Sequence, residues 1–328
     1  MRKKILLLIL LFICSITAIA LLPFAGMEMI SVSSILNNTF EKDIFFSLRL
    51  PRVITAFAAG GGLAVCGLVF QGIFRNPLAD PFTLGVASGA SFGAALTILI
   101  GAGGTILGLG LPYTSVGALC GAFLSFILVL TFAGSVRSAS SHTVLLAGIA
   151  VSFFFSSLLM LSQYLSSMRD SFHIVRWLMG GVEVFGYGPF FSMLPFIALG
   201  ITIIIFNTSV LDHFLTGADI AQSRGVRVRF SRNLLLGAAS VTVGGIVSVC
   251  GPIGFVGMMV PHFCRSVFGA SHTILLPASF LAGGIFLSLC DTFARIVIAP
   301  AEVPVGVICA LLGGPFLIYV LRNKKRYI

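Results

Sequence analysis

Apolar residues run in stretches of about twenty positions along most of this chain, and short polar segments separate them. A helix of about 20 apolar residues crosses the hydrocarbon core of a membrane, whereas barrel strands are about ten residues long and alternate in polarity. The pattern therefore predicts an all-α, polytopic membrane protein. Nine stretches are clear, near 5–26, 53–73, 82–101, 114–134, 142–166, 190–208, 233–251, 274–297 and 304–321.

The charges at the two ends of the chain require a tenth span. Basic residues at 2–4 and 322–326 favour a cytoplasmic position for both termini, so the number of crossings is even. The segment left for this span is 251–269, where two prolines predict a broken helix packed inside the protein. In this topology fourteen of the twenty basic residues face the cytoplasm. The first apolar run, 5–22, is long enough to remain as an uncleaved span.

Composition supports a single transmembrane domain over residues 1–328. The chain is 58% hydrophobic and 9% charged, which excludes soluble enzymes and disordered or fibrous proteins. The net charge of +10 suits cytoplasmic loops better than nucleic-acid binding. Seven scattered cysteines and five histidines show no metal-ligand spacing, so we expect neither a metal site nor a disulfide framework.

Signals for catalysis are weak. None of the five lysines follows a glycine, so the chain has no phosphate-binding loop for ATP. A triad of Ser88 or Ser91 with His262 and Asp291 would need three separate helices and has no nucleophile motif around it. Asp291 is the one acid well inside a predicted span; it is either a functional group or the partner of Arg295, four residues on. We therefore predict no catalytic residues.

Four polar segments carry alternative interpretations. The RLPR sequence at 49–52 places two arginines at a predicted outer membrane surface, either as interfacial anchors or as a dock for an acidic protein. RNPLADP at 75–81 is either an ordinary turn or a loop packed against the small residues that follow. The loop 209–232 contains a predicted short helix, 217–225, and contacts lipid headgroups or a partner. The polar stripe of the fifth span makes interhelical hydrogen bonds or lines a wet pathway.

An internal repeat has weak support. The dipeptides Cys66-Gly67 and Cys250-Gly251 are each followed by a proline ten residues after the glycine. The two spans that contain them lie five spans apart. Two such helices would run in opposite directions, as in the inverted repeats of transporters.

These segments together resemble the permease subunit of type II ABC importers, the family that takes up ferric siderophores, haem and cobalamin. The resemblance covers nearly the whole chain. The motifs that carry it are RLPR (49–52), RNPLADP (75–81), LGVASGA (84–90), LLAG (145–148), WLMGG (177–181), SRG (223–225), GPIGFVGMMVPHFCR (251–265), ILLPAS (274–279), CDTFAR (290–295) and EVPVGVICALLGGP (302–315).

The resemblance implies an inverted-repeat fold of ten helices and a complex with several partners. These are a second permease subunit, expected to be an identical copy, two cytoplasmic ATPase subunits, and an extracytoplasmic binding protein. ATP and Mg would be bound by the ATPase subunits, and this chain would hold no cofactor. It would sit in the cytoplasmic membrane of a bacterium, in contact with lipid.

The resemblance also implies roles for particular residues. Acidic residues of the binding protein would dock on Arg49, Arg52 and Arg295. The ATPase would dock on Gly217, Ala218, Asp219, Ile220, Ala221, Ser223, Arg224 and Gly225. A cytoplasmic gate would be formed by Asn76, Leu78, Ser141 and His142. The pathway would be lined by the fifth span, through Ser152, Ser156, Met160 and Gln163.

The implied mechanism is alternating access without covalent chemistry on this chain. Arg224 and His142 depart from the family pattern, and His142 adds a titratable group to the gate. We expect Arg49→Glu with Arg52→Glu to abolish uptake and leave the ATPase complex assembled. Ferric siderophore is the expected cargo, with haem or cobalamin as alternatives. A stand-alone ion-coupled or facilitative transporter is the other class of function.

Overall fold

The computed structural model describes residues 2–322 except 27, 32, 34, 36–38, 103, 105–111 and 135–140. Helices account for the regular structure of this part of the chain, and no strand occurs in it. The α-helices are α1 (Arg2–Leu21), α2 (Thr39–Ile44), α3 (Leu50–Phe74), α4 (Val86–Leu99), α5 (Tyr113–Gly134), α6 (Ser141–Leu165), α7 (Met168–Leu178), α8 (Gly188–Phe206), α9 (Thr208–Thr216), α10 (Ala218–Ser223), α11 (Val228–Cys250), α12 (Val256–Phe268), α13 (His272–Ile296) and α14 (Val305–Arg322).

The all-α, polytopic membrane fold is confirmed. Eight helical segments in the described residues are long and apolar enough to cross a membrane: α1, α2 continued through a π-helix (Phe45–Arg49) into α3, α5, α6, α8, α11, α13 and α14. The predicted span at 82–101 is the shorter helix α4, of 14 residues. The predicted span at 251–269 is α12, of 13 residues. The predicted segment 251–269 is helical only in part: residues 251–255 are not helical and Phe255 adopts a φ of +69°, whereas α12 continues unbroken through Pro261.

The centre of the bundle is α3, which is buried along almost its whole length. It packs against α11, α12 and α13. Its contact with α13 is close because glycines face each other: a Cβ on Gly60 would lie 2.2 Å from the Gly283 carbonyl oxygen, and a Cβ on Gly283 would lie 2.4 Å from that of Gly60. Small residues allow such close backbone approach between membrane helices.

Facing glycines also bring α4 and α5 into close contact. Gly89 faces Gly121, and Gly93 faces Gly117, so that a Cβ on any of them would lie within 2.5 Å of the opposite backbone oxygen. Glycines spaced four apart on both helices thus form a continuous flat contact.

Several helices leave apolar faces uncovered. Large hydrophobic side chains are exposed along α1, α6 and α14. In a membrane protein such faces contact lipid or another subunit. The apolar faces account for the excess of hydrophobic residues over what one chain can bury.

The two dipeptides that suggested an internal repeat, Cys66-Gly67 and Cys250-Gly251, lie at different places in their helices. Gly67 lies inside α3 and faces the backbone of Gly257. Gly251 instead follows the last residue of α11, with a φ of +64°. The two dipeptides therefore occupy different local structures and are not equivalent positions of a repeat.

Candidate functional site

An ionic network lies at one end of the bundle, which we name the arginine end after Arg49, Arg52 and Arg295. Arg52, in the first turn of α3, donates from Nε and Nη2 to both oxygens of Asp291 in α13, at 3.0 to 3.2 Å. Its Nη1 donates to Glu302 at 2.7 Å. The Asp291 side chain is 1% exposed and that of Arg52 is 13% exposed, so this pair is withdrawn from solvent.

The other two arginines of this end are also engaged. Arg295 lies 3.4 Å from Asp291, four residues earlier on the same helix, and donates to the Thr292 hydroxyl at 3.1 Å. The local ion pair suggested by the sequence is thus present. Arg49 donates to the carbonyl oxygens of Phe24 and Glu28, at 3.2 and 2.8 Å, and so fixes the segment that follows α1.

The three predicted docking arginines line a single cavity. It has a volume of about 280 Å³, and Glu302 contributes to its wall. Neither the position of Glu302 nor the pair Arg52–Asp291 was predicted from the sequence, although Asp291 was visible there as the one acid deep in a span. The arrangement concentrates positive charge in a concave surface, a feature that suits an acidic partner.

The opposite end of the bundle carries the loop 209–232. The predicted short helix is present as α10, Ala218–Ser223, with Gly217 before it and Gly225 after it, both at positive φ. Ala221 is fully buried whereas Ile220 is 47% exposed, so α10 packs one face on the protein and presents an apolar side chain on the other. Asp219, Ser223 and Arg224 are also exposed, and Arg224 lies 3.5 Å from the His213 ring.

The preceding helix, α9, fastens this loop to the bundle. The Asp212 carboxylate accepts from the backbone N–H of His272 at 3.0 Å and lies 2.6 Å from its ring Nδ1. His272 begins α13 and is fully buried. The Arg75 guanidinium, at the end of α3, lies 3.5 Å from where a Cβ on Gly217 would be. Residues 209–216 were predicted to be loop, and the contacts of Asp212 and Gly217 with the bundle were not predicted.

The predicted gate residues Asn76 and Leu78 lie in the turn after α3. The Asn76 side chain accepts from the Leu78 N–H at 3.0 Å, which closes an Asx turn. Asp80 caps the next turn by accepting from the Phe82 N–H at 3.0 Å. Burial raises the pKa of Asp80 to about 6, against the lowering effect of backbone hydrogen bonds from Phe82 and Phe255. Asp80 thereby links this turn to the break before α12.

The other two predicted gate residues begin α6. His142 is exposed. Ser141 is the first residue of the helix, and its side chain lies outside the described part of the chain.

The predicted pathway stripe of α6 is mixed in character. Ser156 and Met160 are exposed, and Gln163 is half-buried. Ser152 is also half-buried; its hydroxyl donates to the Gly148 carbonyl at 2.9 Å, and it lies close to Gly85. The stripe thus runs from the protein interior at Ser152 to an open face at Met160.

A second cavity, of about 460 Å³, lies beside α7. His173, Arg176 and Trp177 line it, and Arg176 donates to Glu183 at 2.9 Å. This hydrogen bond raises the pKa of Arg176. No helix was predicted for this segment, because α7 is amphipathic and has no apolar run of span length.

Two members of the possible catalytic triad, Ser88 and Asp291, make hydrogen bonds to other groups. Ser88 donates to the Gly85 carbonyl at 3.0 Å, and both Asp291 oxygens accept from Arg52. Among the described residues no group of three or more His, Cys, Asp or Glu side chains is placed to hold a metal ion.

Comparison with known proteins decides the family. The model of the FecCD transport family matches residues 6–323, nearly the whole chain. This chain belongs to the FecCD transport family. The motifs of the sequence analysis are those of a permease of a type II ABC importer, and that assignment is confirmed.

Individual relatives agree with the family. The chain is 38% identical to the uncharacterized ABC transporter permease YvrB of Bacillus subtilis over 87% of its length and 80% of the relative's. It is 37% identical to the cobalamin import permease BtuC of Halobacterium salinarum, over 85% of this chain and 73% of that one. It is 36% identical to a vitamin B12 import permease, BtuC of Salmonella typhimurium, over 86% and 84%.

A solved structure confirms the fold over the full length. It is an ABC transporter described as of the metal-chelate type, in an inward-facing conformation. Its TM-score is 0.87 at 30% identity, covering 97% of this chain and 99% of the other. PsaBC of Streptococcus pneumoniae shares the fold more distantly, with a TM-score of 0.54 and 16% identity, over 90% of this chain and 96% of that one.

Proposed function

We propose that this FecCD permease imports a metal chelate through the cytoplasmic membrane of a bacterium, driven by ATP hydrolysis on partner subunits. The observation that supports the proposal is that the arginine cavity and the loop that holds α10 lie at opposite ends of α3. Arg52 and Phe74 are about 33 Å apart along that helix at 1.5 Å per residue, close to the thickness of a bilayer core. One end bears the arginine cavity, and the other contacts the loop that holds α10.

The arginine end would face outward and receive acidic residues of an extracytoplasmic binding protein on Arg49, Arg52 and Arg295. Their convergence on one cavity supports this assignment. Both termini would then lie in the cytoplasm, as the charge distribution predicts. The C-terminal basic residues at 324–326 lie outside the described residues.

The loop end would receive one ATPase subunit per permease on α10 and its flanks, through residues 217–221 and 223–225. The exposed Ile220 on a short helix packed on the bundle supports a protein contact, because the buried cores of protein–protein interfaces are apolar. Contacts of Arg75 and His272 with this unit would carry a movement of the ATPase to α3 and α13. The gate turn with Asn76 and Leu78 directly follows α3, and His142 begins α6.

A second permease subunit, expected to be an identical copy, would complete the pathway. The uncovered apolar faces of α6 and α14 support such a contact. The pathway would be lined by Ser156, Met160 and Gln163 of α6, with Ser152 at its margin. Alternating access would follow from two packings of the paired bundles, biased by ATP and by the binding protein.

Two cargoes have separate support. Ferric siderophore is the expectation of the sequence analysis, on the frequency of that cargo in the family. Cobalamin is favoured by the BtuC relatives, whose names state cobalamin or vitamin B12 import. Both are metal chelates, as in the solved metal-chelate type transporter.

Uptake of radiolabelled ferric siderophores, cobalamin and haem, in the native host with and without the gene, tests the proposal. We expect uptake of one chelate to be lost and to return when the gene is restored. Deletion of the partner ATPase should give the same loss. Normal uptake of all three chelates would overturn the proposal, and uptake that survives loss of the ATPase would favour a stand-alone transporter.

A further inference from the structure

The cavity at the arginine end contains one carboxylate that is firmly held and one that is not. Asp291 is 1% exposed, accepts from Nε and Nη2 of Arg52, and lies 3.4 Å from Arg295. Glu302 is 36% exposed and has one hydrogen bond to Arg52, through Nη1. Two guanidinium groups, those of Arg52 and Arg295, thus lie around these two carboxylates, and only Glu302 is open to replacement.

The geometry fixes which part of Arg52 is available. Asp291 occupies the Nε and Nη2 side, so the guanidinium plane is held and Nη1 points toward the cavity. A carboxylate arriving from outside would meet the position that the Glu302 oxygen occupies at 2.7 Å. A water molecule takes up about 30 Å³, so the cavity of about 280 Å³ has room for a carboxylate side chain with several waters.

We propose that Glu302 is an internal stand-in for the carboxylate of the binding protein, and that docking displaces it from Arg52. This inference rests on the proposed function. In the free permease Glu302 neutralises part of the cavity and prevents an unpaired, partly buried charge. On docking, the partner's Asp or Glu takes over Nη1 of Arg52, and Glu302, which is already partly exposed, turns into solvent.

The exchange has a measurable consequence. Glu302 competes with the partner for one guanidinium and also repels its acidic surface, so neutralising it should strengthen docking. Exposed or partly exposed charge pairs are weak, and we expect Glu302→Gln to lower the Kd for the binding protein about three- to fivefold. The gain should shrink in high salt, because screening weakens both the competition and the repulsion.

The experiment measures binding of the host's extracytoplasmic binding protein to the assembled permease–ATPase complex in nanodiscs, at low and high salt. Glu183→Gln is the matched control: it makes the same chemical change in a half-exposed residue paired with Arg176, outside the arginine cavity. We expect its Kd to stay within about twofold of the unaltered complex. Glu302→Asp, which keeps the charge but shortens the reach to Arg52, should also bind more tightly than the unaltered complex.

Three results would overturn the inference. The first is an unchanged or higher Kd for Glu302→Gln, and the second is an equal decrease in Kd for Glu183→Gln. The third is failure of both Glu302 variants to assemble, which would show that Glu302 is needed for the fold of the permease. If the unaltered complex binds no extracytoplasmic binding protein at either salt concentration, the proposed function itself fails. The two failures are therefore distinguishable.

Discussion

At the scale of residues, the most consequential contact joins positions far apart in the sequence. Asp291 meets Arg52 across a separation of 239 residues. The pairing of Asp291 with Arg295 could be predicted because four residues along a helix bring two side chains together. The pairing with Arg52 could not, because it depends on how α3 and α13 are aligned. The same applies to Asp212 with His272.

This network changes the expected result of reversing the charge of Arg52. A glutamate at 52 would lie beside Asp291 and Glu302, so three carboxylates would share one partly buried site. We therefore expect Arg52→Glu to impair assembly as well as docking, contrary to the expectation from sequence. Neutral substitutions separate the two effects better.

We predict that Asp291→Asn destabilises the permease more than Arg52→Gln. Removing one partner of a buried ion pair costs about 3–5 kcal/mol. Asp291→Asn leaves the buried Arg295 without its carboxylate and leaves Arg52 with Glu302 alone, whereas Arg52→Gln leaves Asp291 still beside Arg295. The free energy of unfolding in mixed detergent micelles measures both.

Arg176→Gln is the control for these variants, because its pair with Glu183 is half-exposed on both sides. An exposed pair contributes at most about 1 kcal/mol. If Asp291→Asn cost no more than this control, the buried network would not stabilise the fold.

At the scale of elements, apolar run length predicted the span helices within a few residues. It could not predict α7 and α9, which are short and amphipathic and have no run of span length. The sequence also shows which glycines exist but not which helix each one meets. Gly60 and Gly283 lie on helices distant in sequence, and their contact sets how closely α3 and α13 approach.

We predict that Gly283→Ala weakens the bundle and Gly314→Ala does not. A Cβ at 283 would lie 2.4 Å from the backbone oxygen of Gly60, so α3 and α13 must separate. Overpacking of this kind costs about 1–3 kcal/mol. A Cβ at 314, in α14, meets nothing within 4 Å, and alanine is the better helix former.

Unfolding titrations of the two glycine variants in the same micelles provide the measurement. Equal stability of Gly283→Ala and Gly314→Ala would show that the α3–α13 contact tolerates a wider spacing than the structure has.

At the scale of the whole molecule, α3 and α13 connect two sites that the sequence described separately. At the arginine end they share the pair Arg52–Asp291, in the middle Gly60–Gly283, and at the other end Gly72 lies against the His272 ring. His272 in turn contacts Asp212, next to the helix proposed to dock the ATPase. Family membership could be predicted from motifs, since these are local. The mechanical link could not, because it exists only once the helices have packed.

The most direct test of the central claim is chelate uptake into proteoliposomes that contain this permease, the host ATPase and the host binding protein. The account predicts uptake only with all three proteins and ATP, and none with a hydrolysis-deficient ATPase. It also predicts that Ile220→Glu, on the exposed face of α10, abolishes uptake and co-purification of the ATPase. Gln222→Glu, an exposed polar position of the same helix, should retain both. Uptake by the permease alone, or undiminished uptake with the inactive ATPase, would contradict the account.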